Sequence, residues 1–252
     1  MTLFKHRILG EFIFQLAIVS TFHRSCFPPE QPLLYVHDLL ETLRVDCNVA
    51  DGNSLNCATS SPVGIIHEAF DWIFRLSYLR LQVPLTGWHR AEAKTILVKL
   101  EAWTPLSADS MLAKHSANLP FEMTVIADLY RYASLILAHK ILEPTLTPKD
   151  VEVRSHVKRG VVLLNNISDL KLKDTTLVIW PIFILGLGAS TDEEKIACQR
   201  PLEYLLSTCG IGCTQGILEL LLHAWGCKPM ADGAGPGLDV IFRDDLLCQV
   251  IF

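Results

Sequence analysis

Apolar residues recur every three to four positions along most of this chain, and alternation of the kind a strand needs is scarce. The most apolar stretch is Thr175 to Thr191. It carries no charge, and it ends abruptly at Asp192-Glu193-Glu194-Lys195. A membrane span needs about 20 apolar residues. This run falls short of that, and Pro181 divides it. Proline inside a helix costs about 3 kcal/mol, whereas in the first turn it costs little. The pattern therefore predicts that Thr175 to Trp180 ends one segment and that Pro181 begins a buried helix. Gly186 and Ala189 lie three apart, on a face where a neighbouring helix could come close.

The same reading places helices around this centre. Residues 4 to 22 show Phe4, Ile8, Phe12, Gln15 and Val19 at helical spacing, and Pro28, Pro29 and Pro32 follow. Leu33 to Val45 is a short amphipathic helix. Asp46 to Pro62 is polar, with little periodicity, and reads as a loop. Ser60-Ser61-Pro62 starts a helix that runs to about Gln82. Trp88 to Trp103 is the next, with Ala91, Ile96, Leu97, Leu100 and Trp103 facing inward. Leu119 to Leu142 is a long helix. Thr147-Pro148-Lys149-Asp150 opens another, with Val151, Val153, Val157, Val161, Leu164 and Ile167 on its apolar side. Asp192 to Cys209 and Thr214 to Trp225 are helices separated by a turn at Gly210 and Gly212. Ala231 to Gly237 is a glycine-rich loop, and Leu238 to Phe252 closes the chain as an apolar helix. The expected fold class is all-α, a single multi-helix domain of about eight to ten packed helices. Residues 1–61 form its less regular N-terminal part and residues 62–252 its main unit.

Composition narrows the function. Half of the 252 residues are hydrophobic, which implies a large core or a substantial partner surface. The net charge of −5 argues against direct DNA binding by this chain alone, since gripping phosphates takes clustered Lys and Arg. The 8 cysteines are widely spread, and reduced, mostly buried thiols are the expected state. Lys5-His6-Arg7 before Ile8 to Val19 has the outline of an export signal. Glu11 and Gln15 interrupt the run, however, and no small-residue cleavage site follows.

Candidate chemistry is thin. Cys209, Cys213, His223 and Cys227 could suggest a metal site, but zinc needs four convergent ligands, and a glycine turn with buried thiols explains them as well. His67, Glu68 and Asp71 read as a solvated helix face. Asp244-Asp245 is the nearest approach to a magnesium-binding carboxylate pair of an all-α enzyme, yet Leu246-Leu247-Cys248-Gln249 supplies no further acid. The glycines near 210 and 233–237 follow no strand and carry no phosphate-binding lysine. Lys149, Arg154, His156, Lys158 and Arg159 form a basic helix face. Trp72, Trp88, Trp103, Trp180 and Trp225 are expected core anchors. No catalytic, cofactor-binding or metal residue is assigned.

Trp180-Pro181-Ile182-Phe183, then Gly186 and Ala189, resembles the W-P-L-F-x-x-G-x-x-A signature in the regulatory region of fungal zinc-cluster transcription factors. The order of other features is similar to that family's: a tryptophan-ended helix at Ala91 to Trp103, an A-x-x-x-Y-L-type helix at Ala127 to Ile136, Arg200 on the helix after the motif, and a leucine-rich helix ending at Trp225. Two features depart from the pattern. Gly188 stands where the family often has Glu, and the paired Cys-x2-Cys spacings of the six-cysteine DNA-reading cluster are absent. The resemblance implies a non-enzymatic transcription-regulatory domain acting in the nucleus. It would bind protein partners of the transcription machinery or a second copy of itself, and a small-molecule inducer could be a further partner. No cofactor and no membrane association are implied. The structural motif residues are Trp180, Pro181, Gly186, Ala189 and Trp225. The alternative is an all-α small-molecule enzyme or ligand-binding protein of a biosynthetic pathway, which would show a carboxylate-lined cavity. An upstream cluster lost from a truncated gene model would equally explain the missing DNA reader.

Overall fold

The structure, a computed structural model, describes residues 3–24, 62–104, 121–167, 175–209, 212–226 and 237–250. The expected helix at Leu33 to Val45 and most of the two loops at 46–62 and 231–237 lie outside these residues. Most of the described residues are helical, with no strand among them. In chain order the helices are α1 (Leu3–Phe22), α2 (Pro62–Arg80), α3 (Gly87–Ala102), α4 (Phe121–Leu142), α5 (Val151–Ile167), α6 (Ile179–Leu187), α7 (Asp192–Cys209), α8 (Gly212–Ala224) and the short α9 (Asp244–Leu247). Two 3-10 segments, Thr175–Val178 and Gly237–Phe242, precede α6 and α9.

Helix α4 is the hub, packing against α2, α3, α5 and α6. Val125, Ala127, Leu129, Tyr130, Ala133, Leu135, Ile136 and Leu137 are all buried, as their apolar character requires. Helix α6 is the second hub, lying against α4, α5, α7 and α8. Every residue of α6 is buried. It starts at Ile179, two residues before Pro181, so the proline occupies the third helical position. The N–H groups of a first turn have no intrahelical acceptor, so the missing donor leaves no bond unmade. No described helix is long and apolar enough to cross a membrane.

Helix α7 begins with a reciprocal cap at Thr191 and Glu194. The Thr191 hydroxyl accepts from the Glu194 N–H at 3.3 Å, and the Glu194 carboxylate accepts from the Thr191 N–H at 3.2 Å. The Ser190 N–H and Arg154 converge on the same carboxylate. Burial pushes the Glu194 carboxyl upward, but these donors outweigh it and hold the group below its ordinary range.

Several faces differ from expectation. On α1, Phe12 is 47% exposed and Gln15 is exposed, whereas Phe14, Ala17, Ile18 and Phe22 are buried. This helix is apolar around most of its circumference, so spacing alone could not tell which side faces in. On α3, Ala93 is buried and Ala91 is exposed. Val151 at the start of α5 is exposed as well. Gly212 begins α8 rather than forming a turn. The C-terminal segment is not one helix. Arg80 takes the Ile241 carbonyl, which an α-helix would have offered to residue 245, and the backbone breaks at Arg243 (φ −99°, ψ 82°). Gly237 enters this segment at φ 82°, and a Cβ there would sit 2.8 Å from Pro148.

Candidate functional site

The most tightly specified region surrounds Trp180. Its side chain is 1% exposed, and its indole N–H donates to Thr21 Oγ1 at 2.9 Å. Thr21 in turn shares a hydrogen bond with Ser77 Oγ at 2.9 Å. The Tyr130 ring stacks on the indole, with centroids 5.7 Å apart and planes 9° apart. The Tyr130 hydroxyl donates to the Leu177 carbonyl at 2.7 Å. Burial raises the Tyr130 phenol well above its ordinary value, so it remains a donor. Phe70 meets Tyr130 edge-on at 5.3 Å, and Phe14 meets Phe70 edge-on at 5.4 Å. One buried centre thus joins α1, α2, α4, α6 and the 3-10 segment before α6. Its polar groups satisfy one another, and they act as fasteners rather than as reactive groups.

Gly186 lets α6 and α8 approach closely. A Cβ on it would lie 2.8 Å from the Leu221 side chain. Its carbonyl accepts from the Trp225 indole N–H at 2.8 Å and from the Ala189 N–H at 3.1 Å. Ala189 is buried in the turn after α6, so it does not share a helical face with Gly186. Pro181 is buried in the first turn of α6.

Buried cations hold the C-terminal segment. Lys140 on α4 donates to the Pro144 and Leu146 carbonyls and to Asp239 Oδ1, the last at 2.6 Å. Arg80 on α2 donates to the Ile241 carbonyl at 2.8 Å and to Asp244 Oδ1 at 2.7 Å. The His23 Nε2–H donates to the Val250 carbonyl at 2.9 Å. Desolvation lowers the Arg80 guanidinium below its ordinary value, with Asp244 opposing the shift.

Of the groups singled out in the sequence, Cys227 and the side chains of His67 and Cys209 lie outside the described residues, and the carboxylates are drawn into separate ion pairs. Asp244 pairs with Arg80, and Asp245 pairs with Arg243 at 2.8 Å. Asp71 pairs with Arg75, and Glu68 is exposed. Among the described residues, no group of three His, Cys, Asp or Glu side chains is placed to hold a metal ion. Cys198 and Cys213 are buried free thiols and Cys248 is an exposed one. Burial, then Glu194, pushes Cys198 up to about 12. The basic face divides: Arg154 binds Glu194 and Ser190, while Lys149, Lys158 and Arg159 are exposed. Trp72 and Trp103 meet edge-on at 5.4 Å, whereas Trp88 is 57% exposed and is no core anchor.

The sequence puts His156 on the basic face of α5. It lies instead in a stack, 6.1 Å from Tyr132 and 5.6 Å from His139 between centroids. Burial first, then His139, Arg159 and Arg131, lowers it to about 4. An unfolded histidine titrates near 6.5. Between about 4 and 6.5 the unfolded chain therefore binds a proton that the folded chain does not. Stability from this group is fully present above that window and is lost as pH falls through it. Urea midpoints are expected to drop more steeply from pH 6.5 to 4 in the wild type than in a His156→Phe protein. Parallel profiles would show that another group sets the acid response.

No curated protein and no solved structure matches the chain. A family model described as the fungal specific transcription factor domain matches residues 48–235, well over half of the sequence. That span contains Phe70, Ser77, Tyr130, Leu177 and Trp180 of the buried centre, with only the α1 residues Phe14 and Thr21 outside it, together with the α6–α8 crossing at Gly186 and the helices of the α4 hub. The chain belongs to the fungal-specific transcription factor domain family.

Proposed function

We propose that this chain is a non-enzymatic regulator of transcription that works in the nucleus by binding proteins of the transcription machinery. The family match over residues 48–235 carries this reading. The net charge of −5 and the absence of any Cys-x2-Cys pair in the sequence favour action through protein contacts over a direct grip on DNA. The ion pairs of Asp71, Asp244 and Asp245 occupy the carboxylates that an enzyme reading would have used. In this reading residues 62–252 form the regulatory unit. Residues 1–61 add to it, with α1 lying along α2 and lending Thr21 to the Trp180 centre.

The test is a fusion of the chain to an unrelated DNA-binding domain in a fungal host carrying the matching reporter. Reporter output is expected to change several-fold, up or down, relative to the DNA-binding domain alone. A Trp180→Ala fusion is expected to lose the change. An unchanged reporter from a fusion that accumulates in the nucleus would sink the proposal.

A further inference from the structure

The outer face of α3 is organised. Trp88, Ala91, Thr95, Val98 and Ala102 are all exposed, Trp88 at 57% and Val98 at 62%. Their spacing of three, four, three and four places them within an arc of about 80°. The buried residues Ala93, Ile96 and Leu100 lie on the opposite side. Thr95 contributes apolar surface, because its hydroxyl is spent on the Ala91 carbonyl at 3.0 Å. The stripe follows a heptad seam, with Trp88, Thr95 and Ala102 at one core position and Ala91 and Val98 at the other.

The charges beside the seam indicate what covers it. Lys94 and Glu101 flank one edge, and Glu92 and Lys99 flank the other. Laid antiparallel on itself with Thr95 against Val98 and Ala91 against Ala102, the helix brings each Lys94 beside a Glu101 of the second copy. Each Glu92 then lies beside a Lys99. A parallel pairing would instead bring Lys94 beside Lys99, a repulsive contact. The alanines allow close approach, and Trp88 closes over the end of the facing helix. Glu92 is already held by Arg75 at 2.8 Å, so the Lys94–Glu101 contacts, made twice across the two-fold axis, decide the pairing. We propose that α3 is a self-association surface on which a second copy of this chain docks antiparallel. One helix face is small for an interface, so the association is weak.

Sedimentation equilibrium of the purified chain from about 1 μM to about 1 mM reads this directly. The wild type is expected to dimerise within that range. Lys94→Glu or Glu101→Lys each turns two attractive contacts repulsive and is expected to weaken association about tenfold. Both variants lie on the surface, so unchanged circular dichroism and melting would confirm that they fold. An equimolar mixture of the two is expected to restore association, because each then faces its complement. A wild type that stays monomeric throughout overturns the proposal. So does a dimer indifferent to both substitutions, or a mixture no tighter than the variants alone. Association is read on the chain by itself and stands apart from any reporter result.

Discussion

Trp180→Ala is expected to destabilise the protein by about 3–5 kcal/mol, read from urea denaturation of the two proteins side by side. The indole is almost wholly buried, so its removal opens a cavity lined by Tyr130 and the neighbouring helices. It also removes the donor to Thr21 Oγ1. Thr21 keeps its partner Ser77, so no hydroxyl is left without a bond, and most of the loss is packing. Trp180→Phe separates these contributions. It retains a ring for Tyr130 to stack on and is expected to cost only about 2 kcal/mol. An alanine variant with an unchanged urea midpoint would mean that the centre collapses without penalty, and the role assigned to Trp180 would be wrong.

Lys140→Met is expected to cost about 2–4 kcal/mol. Methionine can follow the course of the aliphatic stem, so the change isolates the ammonium. That group sits on a fully buried side chain and serves three acceptors: Asp239 and the carbonyls of Pro144 and Leu146. Without it the two carbonyls lose their donor. Asp239 suffers less, because it is 56% exposed and water can replace the lysine. A loss below about 0.5 kcal/mol would show that desolvating the ammonium cancels what its bonds contribute.

The helical architecture was legible because it rests on local signals. Apolar spacing placed α2, α4 and α8, and the proline placed the start of α6 to within two residues. The W-P motif pointed to a family that the match over residues 48–235 shows. What could not be read was orientation and long-range polar pairing. On α1 nearly every side is apolar, so the inward face is chosen by what α2 presents, and Thr21, hidden among hydrophobic residues, gave no hint that it would meet Trp180. Trp88 looked like a core anchor by residue type, but it sits in the first turn of α3, on the side away from α4. The Thr191-x-x-Glu194 cap was visible in the sequence and was missed. The break at Arg243 was not visible, because it depends on Arg80, 161 positions before the carbonyl that it takes.

The buried cations also set an order of events on the ribosome. Lys140 is synthesised 99 residues before Asp239, and Arg80 is synthesised 164 residues before Asp244. Until those carboxylates emerge, sealing either charge away from water is unfavourable. Helices α2 and α4 can form and pair early, but the ends that carry Arg80 and Lys140 must stay wet until the last segment arrives. The nascent chain therefore completes this fold only after the segment from Asp239 to Asp244 has emerged, and a ribosome that stalls before residue 239 leaves two charged gaps in an otherwise assembled core.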